Sequence, residues 1–516
     1  MRRYIYFTVF ASGMTTLAAE LSASRLLGNV FGTSNLVWAA IIGLILIYLT
    51  FGYSIGGRWA DKSPSPKTMY SILAWGAFSI GVVPYIATPV LRAAANAFDG
   101  VQVGILAGAF VAVLILFSVP ITLLGMISPF AIRLSMNDTS EAGKVSGTIY
   151  AISTLGSFVG TYLPVLVLIP IIGTTKTFLV FSLFLLFVAL AGLGISSGRK
   201  VMLQYLIMVI ALVFLGFVTN NSSIKNTEGQ VYEVESAYNY IQVLKKDGYT
   251  YLRLNEGQGI HSIYKPGELN YGGPWQQFLA GPFFYKDELP EDVSRMAIIG
   301  LAAGTTARQA SAVFPNVVID GYELDPEIVK VGMEFFDLNL HNLYIHVEDG
   351  RWGLTSSPFK YDVIAVDAYR PPYIPWHMTT KEFFQVAYEH LNGKGTLVIN
   401  VGRAPDDRRL IDGLASTIAS VFPSVYVMDI PGTFNSMIYA TREPTQQENL
   451  NANMVKLAIT QGIHPLLVTS IYETWVNLQP APNKSIIFTD DLAPIEWITN
   501  NMVLNYVLFG EVENIQ

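Results

Sequence analysis

MAIIGLAAGTTAR (296–308), VVIDGYELD (317–325), IHVEDG (345–350) and YDVIAVDAYRPP (361–372) decide the fold of the second half of this chain. Each segment starts as an apolar run of strand length and ends in small or acidic residues, and helical patterns, TARQASAVF (306–314) and PEIVKVGMEFF (326–336), follow the first two. Strands alternating with helices build a mostly parallel sheet wrapped on both faces. Ligands in such sheets bind outside the carboxyl ends of the strands, where Gly300, Gly304, Glu323, Asp349, Gly350 and Asp367 stand. Gly300 and Gly304 suit a tight turn running close to a ligand, with a helix N-terminus behind it. An acid at the end of the second strand is placed to hold a ribose diol, which assigns Glu323 to that role and leaves Asp349 to accept from an adenine amino group. Further strands are expected in GTLVINV (395–401), VYVMDI (425–430) and SMIYAT (436–441).

Outward from this unit the composition changes abruptly. The whole chain is 51% hydrophobic and 14% charged, with a mean hydropathy of +0.40. Residues 1–220 hold 12 Lys and Arg against 5 Asp and Glu, and the remainder holds 20 against 34, so the two parts carry +7 and −14. Seven apolar segments, near 4–27, 36–57, 68–90, 102–124, 145–172, 176–195 and 201–219, each reach the length of about 20 residues that crosses a bilayer. The chain therefore divides into a transmembrane helical domain (1–220), a small β-domain with a connector (221–290), a Rossmann-like nucleotide-binding domain (291–445) and a C-terminal extension (446–516). Small residues such as Gly52, Gly56, Gly57, Gly156 and Gly160 allow close helix packing in lipid. Lys and Arg concentrate in the loops on the N-terminal side, which places the N-terminus in the cytoplasm of a multi-pass protein of the plasma (inner) membrane. Seven crossings would then set the soluble half outside, away from cytoplasmic nucleotide cofactors, so its side stays open. Glu20 and Arg25 are the ionisable residues of the first span and are expected to pair elsewhere in the bundle or at its rim.

Cysteine is absent, which removes disulfides, thiolate metal sites and cysteine nucleophiles. Six His residues without metal-ligand spacing give no reason to expect a metal, and the acidic second half disfavours nucleic acid. The lipid bilayer is the expected partner of the first half, and homo-oligomerisation is compatible with it. Ahead of the nucleotide unit, YNYIQVLKKDGYTYLRL (238–254) reads as a hairpin turning at Lys-Asp-Gly.

At these residues the chain resembles the spermidine synthase (polyamine aminopropyltransferase) family in its multi-pass membrane-fused form, a branch of the Rossmann-like S-adenosylmethionine methyltransferase fold. The resemblance spans about 230–440 and implies a small N-terminal β-domain, no prosthetic group, no metal, and S-adenosylmethionine or its decarboxylated form as substrate. It also implies that Asp367 faces the sulfonium side chain. Several positions depart from the family pattern. Ala303 stands where an acid normally precedes the last glycine of the loop, Tyr238-Asn239 replaces a Tyr-Gln pair, and His261 replaces a later Gln. Above all, the family's Asp-x-x-Asp reads Asp367-Ala368-Tyr369-Arg370, so the acid that receives the amine is a cation here.

That exchange points to different chemistry. An Arg beside the acceptor pocket repels a diamine, whereas its planar fork suits the carboxylate of intact S-adenosylmethionine. The expectation that follows is a lyase-type enzyme. In it the substrate's own carboxylate displaces the sulfonium, giving methylthioadenosine and homoserine lactone, with Asp367 and Tyr369 orienting the ammonium. The alternatives are aminopropyl transfer to putrescine, methyl transfer, and a transporter or sensor with a nucleoside-binding domain. Asp490, Asp491 and Glu496 in FTDDLAPIE (488–496) would favour polyamine synthesis if they folded back to the pocket.

Overall fold

The computed structural model describes residues 2–31, 35–98, 103–218, 227–255, 259–369, 374–404 and 407–509. The chain forms two compact units. One comprises Met1–Asn226 with Val234–Tyr240, the other Thr227–Glu233 with Ile241–Gln516.

The first unit is helical: α1 (Arg2–Phe31), α2 (Asn35–Lys62), α3 (Pro66–Phe98), α4 (Val103–Gly125), α5 (Ile127–Ser135), α6 (Ala142–Leu163), α7 (Ile169–Ile172), α8 (Thr174–Ser197) and α9 (Arg199–Val218). Six stretches among the described residues are long and apolar enough to cross a membrane, rather than the seven expected. The missing one is α1, whose 30 residues include Ser, Thr, Gly, Glu20 and Arg25 and are too polar on average. Its small residues serve contact instead. A Cβ on Gly156 or Gly160 of α6 would stand 2.1 Å from Phe10 O or 2.0 Å from Met14 O of α1. Gly52 meets Thr122 O in the same way, whereas Gly57 has open space around it and plays no such part. The Arg25 guanidinium donates to Ala237 O, and Asp61 at the C-terminal end of α2 pairs with Arg133 at 3.5 Å.

Ahead of the main sheet stands a four-stranded sheet, β1 (Gln230–Glu235), β2 (Tyr240–Lys246), β3 (Tyr249–Leu254) and β4 (Ile260–Tyr264) in that order, in which β2–β3 and β3–β4 pair antiparallel. Its β2–β3 hairpin closes on Asp247 (φ 53°) and Gly248 (φ 82°), with Lys246 opposite Tyr249. Two residues of positive φ match the right-handed twist of the strands they join.

The main sheet contains β5 (Arg295–Ile299), β6 (Val318–Glu323), β7 (Leu343–Val347), β8 (Tyr361–Val366), β9 (Leu391–Gly402), β10 (Ser424–Asp429) and β11 (Asn435–Thr441), in the order β10-β11-β9-β8-β5-β6-β7. The five strands from β9 to β7 run parallel, and β11 inserts antiparallel between β9 and β10. Helices α10 (Thr305–Val313), α11 (Pro326–Phe335), α12 (Gly350–Ser356), α13 (Lys381–Glu389), α14 (Arg409–Ala419), α15 (Glu448–Ala458), α16 (Pro465–Val476) and α17 (Ile495–Phe509) complete the unit. Strand β5 shows why its sequence is an uninterrupted apolar run. Ala297 and Ile299 enter one buried cluster and Met296 and Ile298 enter another, so both faces are covered. Chain direction across the sheet reverses at β5, between β6 and β8, which makes its carboxyl end the topological switch point.

Candidate functional site

Backbone bonds tie four strand ends together around that switch point. Gly300 and Leu301 N–H groups donate to Tyr322 O (both 3.0 Å), Asp367 N–H donates to Ile299 O (2.8 Å), and Glu348 N–H donates to Glu323 O (3.1 Å). Gly300 has φ 86°, and a Cβ there would sit 2.5 Å from Asp367 O, so both conformation and space require glycine. Gly304 (φ 79°) begins α10, but the room beside its Cα is filled by Leu338. It is a packing glycine of the helix start.

The loop between them has a chemical signature. Ala302 N–H donates to Glu323 Oε2 (2.9 Å), Ala303 N–H to Ser262 Oγ (2.9 Å) and Gly304 N–H to Leu301 O (3.0 Å). With Gly300 and Leu301 already bonded, every N–H from 300 to 304 has a partner inside the fold. A phosphate-cradling loop keeps such groups free for its anion. This loop suits a nucleoside without phosphates.

Glu323 is buried, and its Oε1 accepts Asp325 N–H at 3.1 Å. Desolvation pushes its carboxyl up to about 7 against the opposing effect of these N–H donors. Each oxygen keeps a further lone pair for a hydroxyl. Asp349 caps α12 by accepting Trp352 N–H at Oδ1 (3.0 Å), and its Oδ2 lies 3.0 Å from His377 Nε2. That partner holds the Asp349 carboxyl below its ordinary range. Gly350 follows within van der Waals reach of Ile299, where a Cβ would stand 2.4 Å from Cγ2.

Asp367 Oδ1 accepts from Asn400 Nδ2 at 2.8 Å, and desolvation raises its carboxyl to about 7. Asn400 Oδ1 is buried without a partner. The Tyr369 hydroxyl is buried against Gly402, where a Cβ would stand 2.4 Å from it, and burial raises its pKa. His261 on β4 has an enclosed Nε2 without a partner, and desolvation pushes the imidazole down to about 4, so it is neutral at physiological pH. Its neighbours fasten β4 to the loop, since Thr305 Oγ1 donates to Ile263 O and accepts Ile263 N–H, both at 2.9 Å.

Thus Gly300, Glu323, Asp349, Gly350, Asp367 and Tyr369 gather at one sheet edge, with His261 on the strand bonded to their loop. Asn239 belongs to the first unit, where its N–H donates to Ser236 Oγ. Arg370 lies outside the described residues. Sequence reasoning missed Asn400 and His377. The first stands at the end of the apolar run GTLVINV, the same signal that singled out Asp367, whereas nothing marks His377. No group of three His, Asp or Glu side chains able to hold a metal occurs among the described residues.

The sheet order and the site at its switch point define a Rossmann-like unit of the methyltransferase type. The second unit is similar in sequence to polyamine aminopropyltransferases. The chain is 32% identical over 278 residues to a probable polyamine aminopropyl transferase of Bifidobacterium longum (strain NCC 2705), covering 51% of this chain and 61% of that one. It is 29% identical over 188 residues to the polyamine aminopropyltransferase of Vibrio vulnificus (strain CMCP6), covering 34% and 62%. The chain therefore spans less than two thirds of the length of these relatives. A probable spermidine synthase of Corynebacterium glutamicum ATCC 13032 is similar in structure, at a TM-score of 0.39 and 20% identity over 51% of this chain and 98% of that one. No family model matches the chain.

Proposed function

We propose that this protein is a membrane-embedded aminopropyltransferase, moving an aminoalkyl group from a sulfonium nucleoside of the decarboxylated S-adenosylmethionine type to an amine. The observation that carries this reading is the pairing of a phosphate-free nucleoside loop with Asp367, a desolvated carboxyl that gains from a cation beside it. Glu323 holds the ribose and Asp349 the adenine edge. Asp367 and the free Oδ1 of Asn400 face the positively charged chain. The amine attacks the methylene carbon bound to sulfur, and a C–N bond forms as the C–S bond breaks. The electron pair stays on sulfur, leaving neutral methylthioadenosine, and the amine's proton passes to Asp367. Alignment of amine and sulfonium supplies much of the acceleration, and the carboxylate's range near neutrality suits proton transfer. The curated relatives named above support transfer over lyase chemistry.

A second reading rests on the sequence Asp367-Ala368-Tyr369-Arg370, in which Arg370 occupies the position of the amine-binding acid. Arg370 would then clamp the carboxylate of intact S-adenosylmethionine, whose attack on its own γ-carbon yields methylthioadenosine and homoserine lactone. Purified full-length protein should be given each substrate separately and the products resolved by mass spectrometry. Decarboxylated substrate plus putrescine is expected to yield spermidine and methylthioadenosine. Methylthioadenosine from S-adenosylmethionine alone would install the second reading in its place, and S-adenosylhomocysteine would replace both with methyl transfer. Asp367→Asn is expected to slow turnover by about a hundredfold or more while methylthioadenosine still binds.

A further inference from the structure

The segment at 488–490, whose acids sequence reasoning left unplaced, returns to the nucleoside site by a traceable route. Phe488 is fully buried, with its ring over Gly413, and its N–H donates to Thr417 Oγ1 at 2.9 Å. Its carbonyl accepts Lys381 N–H (2.9 Å), and Asp490 N–H donates to Glu382 Oε2 (3.0 Å). The backbone is thereby pinned from Phe488 to Asp490. From there the carboxylate meets the Arg351 guanidinium as a two-pronged fork, with both bonds at 2.7 Å, and Oδ1 also accepts from Thr380 Oγ1 at 2.7 Å. Arg351 follows Gly350 in the first turn of α12 and donates to His377 O at 2.9 Å, while His377 Nε2 reaches Asp349.

We propose that Asp490 is a positioning residue of the nucleoside site, holding Arg351 and, through Arg351 and His377, fixing the carboxylate of Asp349. Three donors already occupy its two oxygens, so Asp490 is not a spare acid for an amine substrate, and Asp491 beside it is exposed. An isolated surface ion pair is worth little because two long side chains must be ordered to make it. Here the fork is bidentate, Thr380 supplies a third bond, and the 488–490 backbone is already tied down, so most of that ordering is complete before the pair forms. The carboxyl of Asp490 is held low and the guanidinium of Arg351 high by this same bond. A binding group displaced by a fraction of an ångström loses much of its contribution. The inference rests on the nucleoside reading of Asp349.

The test uses full-length protein in detergent micelles with methylthioadenosine as probe. Asp490→Asn is expected to weaken binding about tenfold and to raise KM for the sulfonium substrate with kcat little changed, since Asp367 is untouched. Asp490→Glu should restore part of the loss. Arg351→Lys should weaken binding comparably, and the Asp490→Asn/Arg351→Lys pair should be no worse than either alone. Wild-type affinity in both single variants, or fully additive losses in the pair, would overturn the proposal even if one variant folds poorly. Glu323→Gln serves as the control. If wild type does not bind the probe, or binds it equally well without the Glu323 carboxylate, the nucleoside reading itself fails and this inference with it.

Discussion

Two carboxyls, Glu323 and Asp367, carry the pH behaviour of the site. Each is raised to about 7 by desolvation, from ordinary values of 4.5 and 3.8. Between those limits the folded protein binds protons that the unfolded chain has released. Their contribution therefore favours the folded state in acid and is lost as pH rises through about 7. On the proposed function activity would run the opposite way, because proton acceptance and ribose binding need the ionised forms. The kcat/KM profile is expected to rise through an apparent pKa near 7, and Asp367→Asn should leave only the part of that limb that Glu323 sets. A cationic nucleoside should lower both values on binding and release protons at pH 6.5, measured by calorimetry in buffers of different ionisation enthalpy. These two acids and Asp349 were legible in the sequence because each ends an apolar strand of a parallel sheet. Their partners Asn400 and His377 were not, nor was the pairing of Asp490 with Arg351, since the residues lie 33, 28 and 139 positions apart, separations that no local pattern encodes.

Among elements, the turn after β5 is the most constrained. Replacing Gly300 with Ala sets a methyl carbon 2.5 Å from the Asp367 carbonyl and forces a positive φ. Expected is a loss of at least about 2 kcal/mol of second-unit stability together with loss of nucleoside binding, read by denaturant unfolding and by titration with methylthioadenosine. Gly304→Ala should be felt mainly as stability, because its neighbour is Leu338 rather than a strand-end acid. The hairpin and the mostly parallel character of the sheet could be read ahead of the structure, as turn chemistry and βαβ alternation are local signals. The insertion of β11 between β9 and β10 could not, because neighbours in sequence give no warning that the last strand will enter the sheet before its predecessor.

For the whole molecule, the unsettled quantity is the number of crossings. Seven apolar segments were visible in the sequence, yet α1 has too many Ser, Thr and Gly residues to join the six that qualify on hydropathy. Six crossings return the chain to the side of its N-terminus, and seven take it across. The absence of native cysteine makes a clean test possible. A single Cys in place of exposed Lys286 is expected to react with a membrane-impermeant maleimide only after the cells are permeabilised, as cytoplasmic supply of the substrate requires. Labelling of intact cells would place the soluble unit outside and remove its access to that supply.

The loop from Gly300 to Gly304, with all five of its N–H groups already spoken for, also bears on rivals. A cytoplasm is crowded with ATP and other phosphorylated adenosines that share the same base and sugar. Were the loop to offer open donors, those abundant molecules would compete for the site and hold it idle. On the nucleoside reading proposed above, a loop that keeps nothing back for a phosphate would favour the scarcer, unphosphorylated ligand through what it withholds, and would leave charge recognition to Asp367.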